Sequence, residues 1–251
     1  METNHILHRN VKYYYDGHNA NFWSSFAKGW ESGTFDCFDK FLDKNKTFLD
    51  IGSWIGPTVL YASGKSKQVY SVEPNPDSLV HLKKNIKLNN LNNISIIEKA
   101  IYHKETEIDF VLAESASNLL INDSKFIEEG SAKDSDVGKR YNVRPKVKVS
   151  TITFKTLLSS VEGDISLIKM DIEGAEKYVI PECIEDLKLI ECPLNISLHW
   201  AFLKEDDILK VLNELSKAYS TFYDVSFNIV NIQEILSKKI NMITCTKNKI
   251  V

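Results

Sequence analysis

The sequence predicts an α/β domain built on a mostly parallel sheet, and three observations carry that expectation. From Lys46 onward, short β-branched runs alternate with helical patterns, the order produced by crossover helices covering both faces of a parallel sheet. The runs "TFLDI", "DISLIKMD" and "LNISLHW" are apolar nearly throughout, as strands buried on both faces must be. No repeat and no second core divides the 251 residues. The expected division is therefore one doubly wound domain over residues 46–251, preceded by a helical, aromatic-rich extension over residues 1–45.

The elements follow in order. "TFLDI" is the first strand of the domain, and Pro57 opens the helix "PTVLYASG" where proline's missing N–H costs nothing. "QVYSVE" is the second strand. "PDSLVHLKKNIKLNN" is a helix, with Leu79, Leu82, Ile86 and Leu88 near 3.6-residue spacing. "ISIIEKA" and "TEIDFVLAE" are further extended segments. The polar stretch Asn122 to Pro145 is too long for an ordinary connection and is expected to be a flexible lid, a substrate loop or plain disorder. "KVKVSTITFKTLLSSV" reads as strand then helix, capped by Ser150 or Thr151. Two buried strands follow, separated by a helix that Pro181 should end or kink. The tail reads as strand, short helix, strand, closing as an antiparallel pair. In the extension, "NFWSSFAKGWESGTFDCFDKFL" is the amphipathic part.

Composition narrows the function classes. With 31 Lys+Arg against 34 Asp+Glu, the net charge of −3 gives no electrostatic reason to expect nucleic acid or an anionic membrane as partner. No apolar run approaches the ~18 residues of a membrane span, and the N-terminus lacks the apolar core of a signal peptide. Cys37, Cys183, Cys192 and Cys245 stand far apart with no CxxC pair. They read as reduced thiols of a cytoplasmic protein.

Two sites carry chemistry. In "FLDIGSWIGPTVLYAS", Asp50, Gly52 and Gly56 occupy the turn between a strand and its helix. Glycine lets a ligand approach the backbone there, and the helix-start N–H groups attract an anion. The spacing D-x-G-x-x-x-G is not that of dinucleotide folds, and no GK[ST] follows. Glu73 ends the next strand, where an acid accepts ribose hydroxyls. The second site is "ISLIKMDIEGAE", an apolar run ending in Asp171, Glu173 and Glu176. Asp171 either caps the following helix or stands at the ligand-facing edge of a central strand as a base. Glu176 reads as a first-turn acid favourable to the helix dipole. His199 ends "LNISLHW" at the neighbouring strand, so Asp171 and His199 form a base with its orienter, or two ligands of a divalent metal. The metal is admitted but not favoured, because this set is thin for magnesium. Trp23, Trp30 and Trp54 either wall a substrate pocket or pack in the core.

Together "FLDIGSWIG", "VYSVEPNPDSLVHLKKNIKLNN", "EKAIY", "VSTITFKTLL" and "LIKMDIEGAEKYVI" resemble the FkbM family of S-adenosylmethionine-dependent methyltransferases, in order from about Phe48 to His199. The resemblance implies a Rossmann-like class I methyltransferase fold of about seven strands with the last antiparallel. It also implies methyl transfer to a hydroxyl on a sugar, glycoconjugate or other small metabolite. By the same resemblance, Asp50 and Gly52 hold the methionine portion, Glu73 the ribose, and Ala100 and Ile101 lie beside the adenine, with Ser53, Gly56 and Pro74 also at the cofactor. Asp171, Glu173 and His199 are the catalytic candidates. Trp54 stands where the class has a glycine. A nicotinamide-dependent oxidoreductase fits the alternation and Glu73 but not the glycine spacing, and a non-catalytic ligand-binding domain is the other alternative.

Overall fold

The computed structural model describes residues 4–112 and 146–250. The expected lid or loop, Asn122 to Pro145, lies outside the described residues. The extension opens with an antiparallel hairpin, β1 (His5–His8) and β2 (Val11–Tyr14). This corrects the expectation of a wholly helical extension. Arg9 and Asn10 both adopt left-handed backbone, φ 46° and 64°, the two-residue turn that matches strand twist. Helices α1 (Ala20–Ala27) and α2 (Ser32–Phe41) follow.

The chain then runs through β3 (Thr47–Ile51), α3 (Pro57–Ser63), β4 (Gln68–Val72), α4 (Pro76–Leu88) and β5 (Ile94–Ile97). Pro57 sits at the start of α3, and the Asn75 side chain caps α4 by accepting the Asp77 N–H. Strands β6 (Ala100–Ile101), β7 (Glu107–Val111) and β8 (Lys146–Ile152) form a side sheet in the order β6-β8-β7. Thr153, not Ser150 or Thr151, caps the next helix, α5 (Phe154–Ser160), because β8 continues through both earlier residues. After β9 (Ile165–Met170) comes α6 (Glu176–Leu189), which continues through Pro181. The lost hydrogen bond is offset by burial of Val179, Ile180, Cys183, Ile184 and Leu187 along the same helix. The remainder is β10 (Leu194–Ser197), α7 (Glu205–Leu215), β11 (Thr221–Tyr223), β12 (Ile229–Val230), α8 (Ile232–Lys238) and β13 (Met242–Thr246).

The main sheet has the order β12-β11-β13-β10-β9-β3-β4-β5. Strands β10, β9, β3, β4 and β5 are parallel, and β13 is antiparallel to both β10 and β11. This is the expected seven-stranded sheet with its last strand reversed, plus the two-residue edge strand β12. One apolar core lies between the sheet and α5, α6 and α7. The other joins Trp23, Phe26, Phe35 and Phe38 of the extension to Phe48, Val59, Leu60 and Leu82. The extension therefore shares a core with the domain. Among the described residues, no helix is long and apolar enough to cross a membrane.

Candidate active site

The register brings four strand ends to one level. Ile51 pairs with Val72 on one side and Met170 on the other, and Met170 pairs with Ile196. The residues that follow, Gly52, Glu73, Asp171 and then His199, emerge at the carboxyl edge where α/β folds bind ligands. All four line a crevice of about 1110 Å³, together with Ser53, Trp54, Pro74 and Glu173.

In the cofactor half, both oxygens of Glu73 are engaged. Oε2 accepts the Trp54 N–H at 2.8 Å and Oε1 the Asn75 N–H at 2.8 Å. Each carboxyl oxygen has capacity for a second donor, so the group can still accept ribose hydroxyls. Burial raises its pKa to about 7, against the pull of those two amides. Trp54 takes the left-handed backbone, φ 49°, that its position demands. Its ring meets Phe22 edge-on at 4.5 Å.

Four residues expected at the cofactor stand elsewhere. Asp50 is fully buried, accepts the Thr58 hydroxyl at 2.6 Å and pairs with Lys169. It braces the loop from beneath and is not among the residues lining the crevice. Gly56 faces Leu82, whose Cδ1 would lie 2.6 Å from an added Cβ, so this glycine serves the packing of α3 on α4. Ala100 and Ile101 are buried in the core and do not line the crevice. Gly52, φ 86°, does line it, yet an added Cβ would strike the Asp171 carbonyl oxygen at 1.8 Å. Bulk at Gly52 would therefore force apart β3 and β9 before it met any ligand.

The acidic end of β9 divides its labour. Asp171 does not cap α6, whose N-cap is Ala175 without a side-chain bond. Glu176 closes the loop instead. Its carboxylate accepts N–H groups from Ile172 at 3.1 Å and Gly174 at 2.8 Å, and His199 Nδ1 lies 2.9 Å from the same group. His199 Nε2 faces Asp171 at 3.1 Å and Glu173 at 3.7 Å. Burial lowers the imidazole pKa, but Glu176 and Asp171 outweigh it and hold the ring well above its ordinary value. The three carboxylates around the ring thus favour its imidazolium form, in which both nitrogens donate.

Lys169 is a site residue absent from the sequence expectations, although a lysine inside an apolar parallel strand is itself a signal. It is 3% exposed, with Nζ 3.4 Å from Asp171 and 3.5 Å from Asp50, its neighbour in register on β3. Burial favours the neutral amine, yet Asp171 and Asp50 keep it charged. For Asp171, burial would raise the pKa, but Lys169 and His199 hold it well below the usual range. Glu173 lies at φ 55° with 26% of its side chain exposed. Burial raises it to about 7, against the pull of His199 and with the push of Asp171. Glu31, from the extension, lines the same crevice, and burial likewise raises it to about 7. Trp30, Trp54 and Trp200 are wall residues, whereas Trp23 is core.

These shifts set the direction of stability with pH. The carboxyls of Glu31, Glu73 and Glu173 release protons near 4.5 when unfolded and near 7 when folded. Between those values the native state binds more protons, so stability falls as pH rises. The raised pKa of His199 adds stability that is present below about 6.5 and lost on going higher, while depressed Asp171 loses its contribution only in stronger acid. The melting temperature of the unliganded protein should therefore drop from about pH 5 to about pH 8. A flat or rising profile in calorimetry would contradict these protonation states.

The sheet order, the reversed last strand and the crevice at the carboxyl edge define the class I methyltransferase fold. The methyltransferase FkbM domain model matches residues 50–220, and the chain belongs to that family. The chain is 30% identical over 157 residues to the protein MJ1452 of Methanocaldococcus jannaschii, covering 59% of this chain and 56% of that one. Methyltransferase FkbM from Methylobacillus flagellatus superposes with a TM-score of 0.50 at 13% identity, over 81% of this chain and 44% of that one. The Streptococcus mutans protein SMU.1697c in complex with SAH does so at 0.47 and 14%, over 84% and 93%. The chain thus spans about half the length of MJ1452 and of the Methylobacillus enzyme.

Proposed function

We propose that the protein is a cytoplasmic O-methyltransferase that methylates a hydroxyl of a sugar or other small metabolite, with Glu173 as general base. One observation carries this reading. The cofactor acid Glu73 and the Asp171–Glu173–His199 cluster open onto one crevice. The cytoplasmic setting is supported by four free, buried cysteines. S-adenosylmethionine supplies an activated methyl group when bound. Glu73 and the Gly52–Ser53 turn hold it, and Glu173 receives the proton of the acceptor hydroxyl. A carboxylate whose pKa lies near the operating pH is best matched to that task. Asp171, held ionised by Lys169, fixes the His199 imidazolium beside the reacting oxygen.

Asp171, Glu173 and His199 also offer ligand atoms within 4.8 Å of one another. A metal would need the His199 Nε2 lone pair, whereas Asp171 at Nε2 and Glu176 at Nδ1 together favour the doubly protonated ring. The reading is therefore metal-free. The test is methyl transfer from S-adenosylmethionine to a panel of sugars, amino alcohols and an RNA transcript, with and without EDTA. Transfer to a small alcohol, insensitive to EDTA, is expected. Transfer to RNA alone, or loss with EDTA and recovery with magnesium, would overturn the acceptor class or the metal-free chemistry. Binding of S-adenosylmethionine with no turnover on any acceptor would favour the non-catalytic alternative.

A further inference from the structure

One wall of the crevice comes from the N-terminal extension. It carries Phe22, Trp30, Glu31 and Thr34, which line the same crevice as Asp171 and Glu173. Glu31 sits at the N-cap of α2 in left-handed backbone, φ 45°, without being glycine and without capping the helix through its side chain. Such a conformation persists where the surroundings fix a side chain's aim. Its carboxyl accepts the Thr34 hydroxyl at a long 3.3 Å and interacts electrostatically with Asp171, Lys169 and His199. Phe22 lies edge-on to Trp30 at 5.0 Å and to Trp54 at 4.5 Å, which makes a continuous aromatic surface beside it.

The charge within the crevice is unbalanced. Glu31, Glu73, Asp171 and Glu173 line it against Lys169 and His199, and Lys169 also faces buried Asp50. At the rim, Asp224 is occupied by its own turn, accepting from Ser226 and Asn228, and exposed Lys238 pairs with Glu234. Lys239 stands exposed at the mouth. The sulfonium of the methyl donor offsets part of the excess negative charge. A second cation would offset the rest, and an aromatic wall suits one well.

We propose that Glu31 is a specificity residue of the acceptor half-site, and that the site takes an amine-bearing alcohol, such as an aminosugar, in preference to a neutral or anionic one. The inference rests on the methyl-transfer reading. Its occupant pairs an ammonium with Glu31 across the aromatic wall while its hydroxyl reaches Glu173. A phosphate or carboxylate at the same place meets the carboxyls of Glu31, Asp171 and Glu173.

The test uses the whole chain saturated with S-adenosylhomocysteine, titrated with methyl glucosaminide, methyl glucoside and methyl glucuronide. The glucosaminide should bind about tenfold more tightly than the glucoside, as for a partly desolvated ion pair, and the glucuronide most weakly. Glu31→Gln should bring the first two within about twofold while leaving S-adenosylhomocysteine affinity unchanged and the melting temperature unchanged or slightly raised, and Glu31→Asp should retain part of the preference. Equal binding of the three sugars, an unchanged ratio in Glu31→Gln, or no binding of any while the cofactor product binds would overturn the proposal. Failure of S-adenosylhomocysteine itself to bind would instead remove the methyl-transfer reading on which it rests.

Discussion

Replacing Lys169 by methionine is expected to cost about 3–5 kcal/mol of folding stability, the range for removing one partner of a buried ion pair. The lysine is almost wholly buried between Asp50 and Asp171 and also donates to the Gly52 carbonyl at 3.3 Å. Without it, Asp50 keeps a single good partner, the Thr58 hydroxyl, and Asp171 keeps only His199 as a counter-charge. Asp50 would then hold a proton, since burial already raises its pKa. The deficit should accordingly shrink as pH falls toward about 5, where protonation relieves the uncompensated charge. Denaturant unfolding at two pH values measures both effects. A loss below about 1 kcal/mol at neutral pH would mean that solvent reaches the triad and screens it.

Glu173→Gln is expected to reduce turnover by about 10²–10⁴-fold, the range for loss of a general base. The same variant should keep its melting temperature or gain slightly, because the glutamine removes repulsion from Asp171 and Glu176. Affinity for the methyl donor should be unchanged, since Glu73 and the Gly52–Ser53 turn, and not Glu173, are the groups proposed to hold it. Asp171→Asn makes the contrast. It should lose activity and stability together, because it takes a counter-charge from Lys169. Full turnover in Glu173→Gln, measured with the acceptor identified in the screen, would move the base to Asp171.

The sequence made the sheet legible because its strands are buried on both faces. Apolar runs such as "ISLIKM" leave no alternative reading, and the reversed last strand followed from the family resemblance. The β1–β2 hairpin was missed because its turn, Arg9–Asn10, contains no glycine to mark the left-handed backbone. Pro181 misled because local hydrogen bonding argued for a break while tertiary burial decided the helix. Within the site, residues at strand ends were readable: Glu73, Asp171, Glu173 and His199 all reach the crevice. Direction was not readable. Asp50 and Gly52 share a strand end, yet one side chain points beneath the loop and the other position abuts a neighbouring backbone. Glu31 had no signal at all, since only folding of the extension over the sheet brings it to the crevice.

Cofactor binding rests on Glu73 and the crevice it lines. Isothermal titration of the wild-type chain and Glu73→Ala with S-adenosylhomocysteine, with NAD as control, tests it most directly. The wild type should bind S-adenosylhomocysteine and not NAD. The variant, folded by its melting curve, should lose about 1.5–3 kcal/mol of affinity, as for losing charged hydrogen bonds to the ribose. Equal affinity in the two proteins, or binding of NAD in place of S-adenosylhomocysteine, would contradict it.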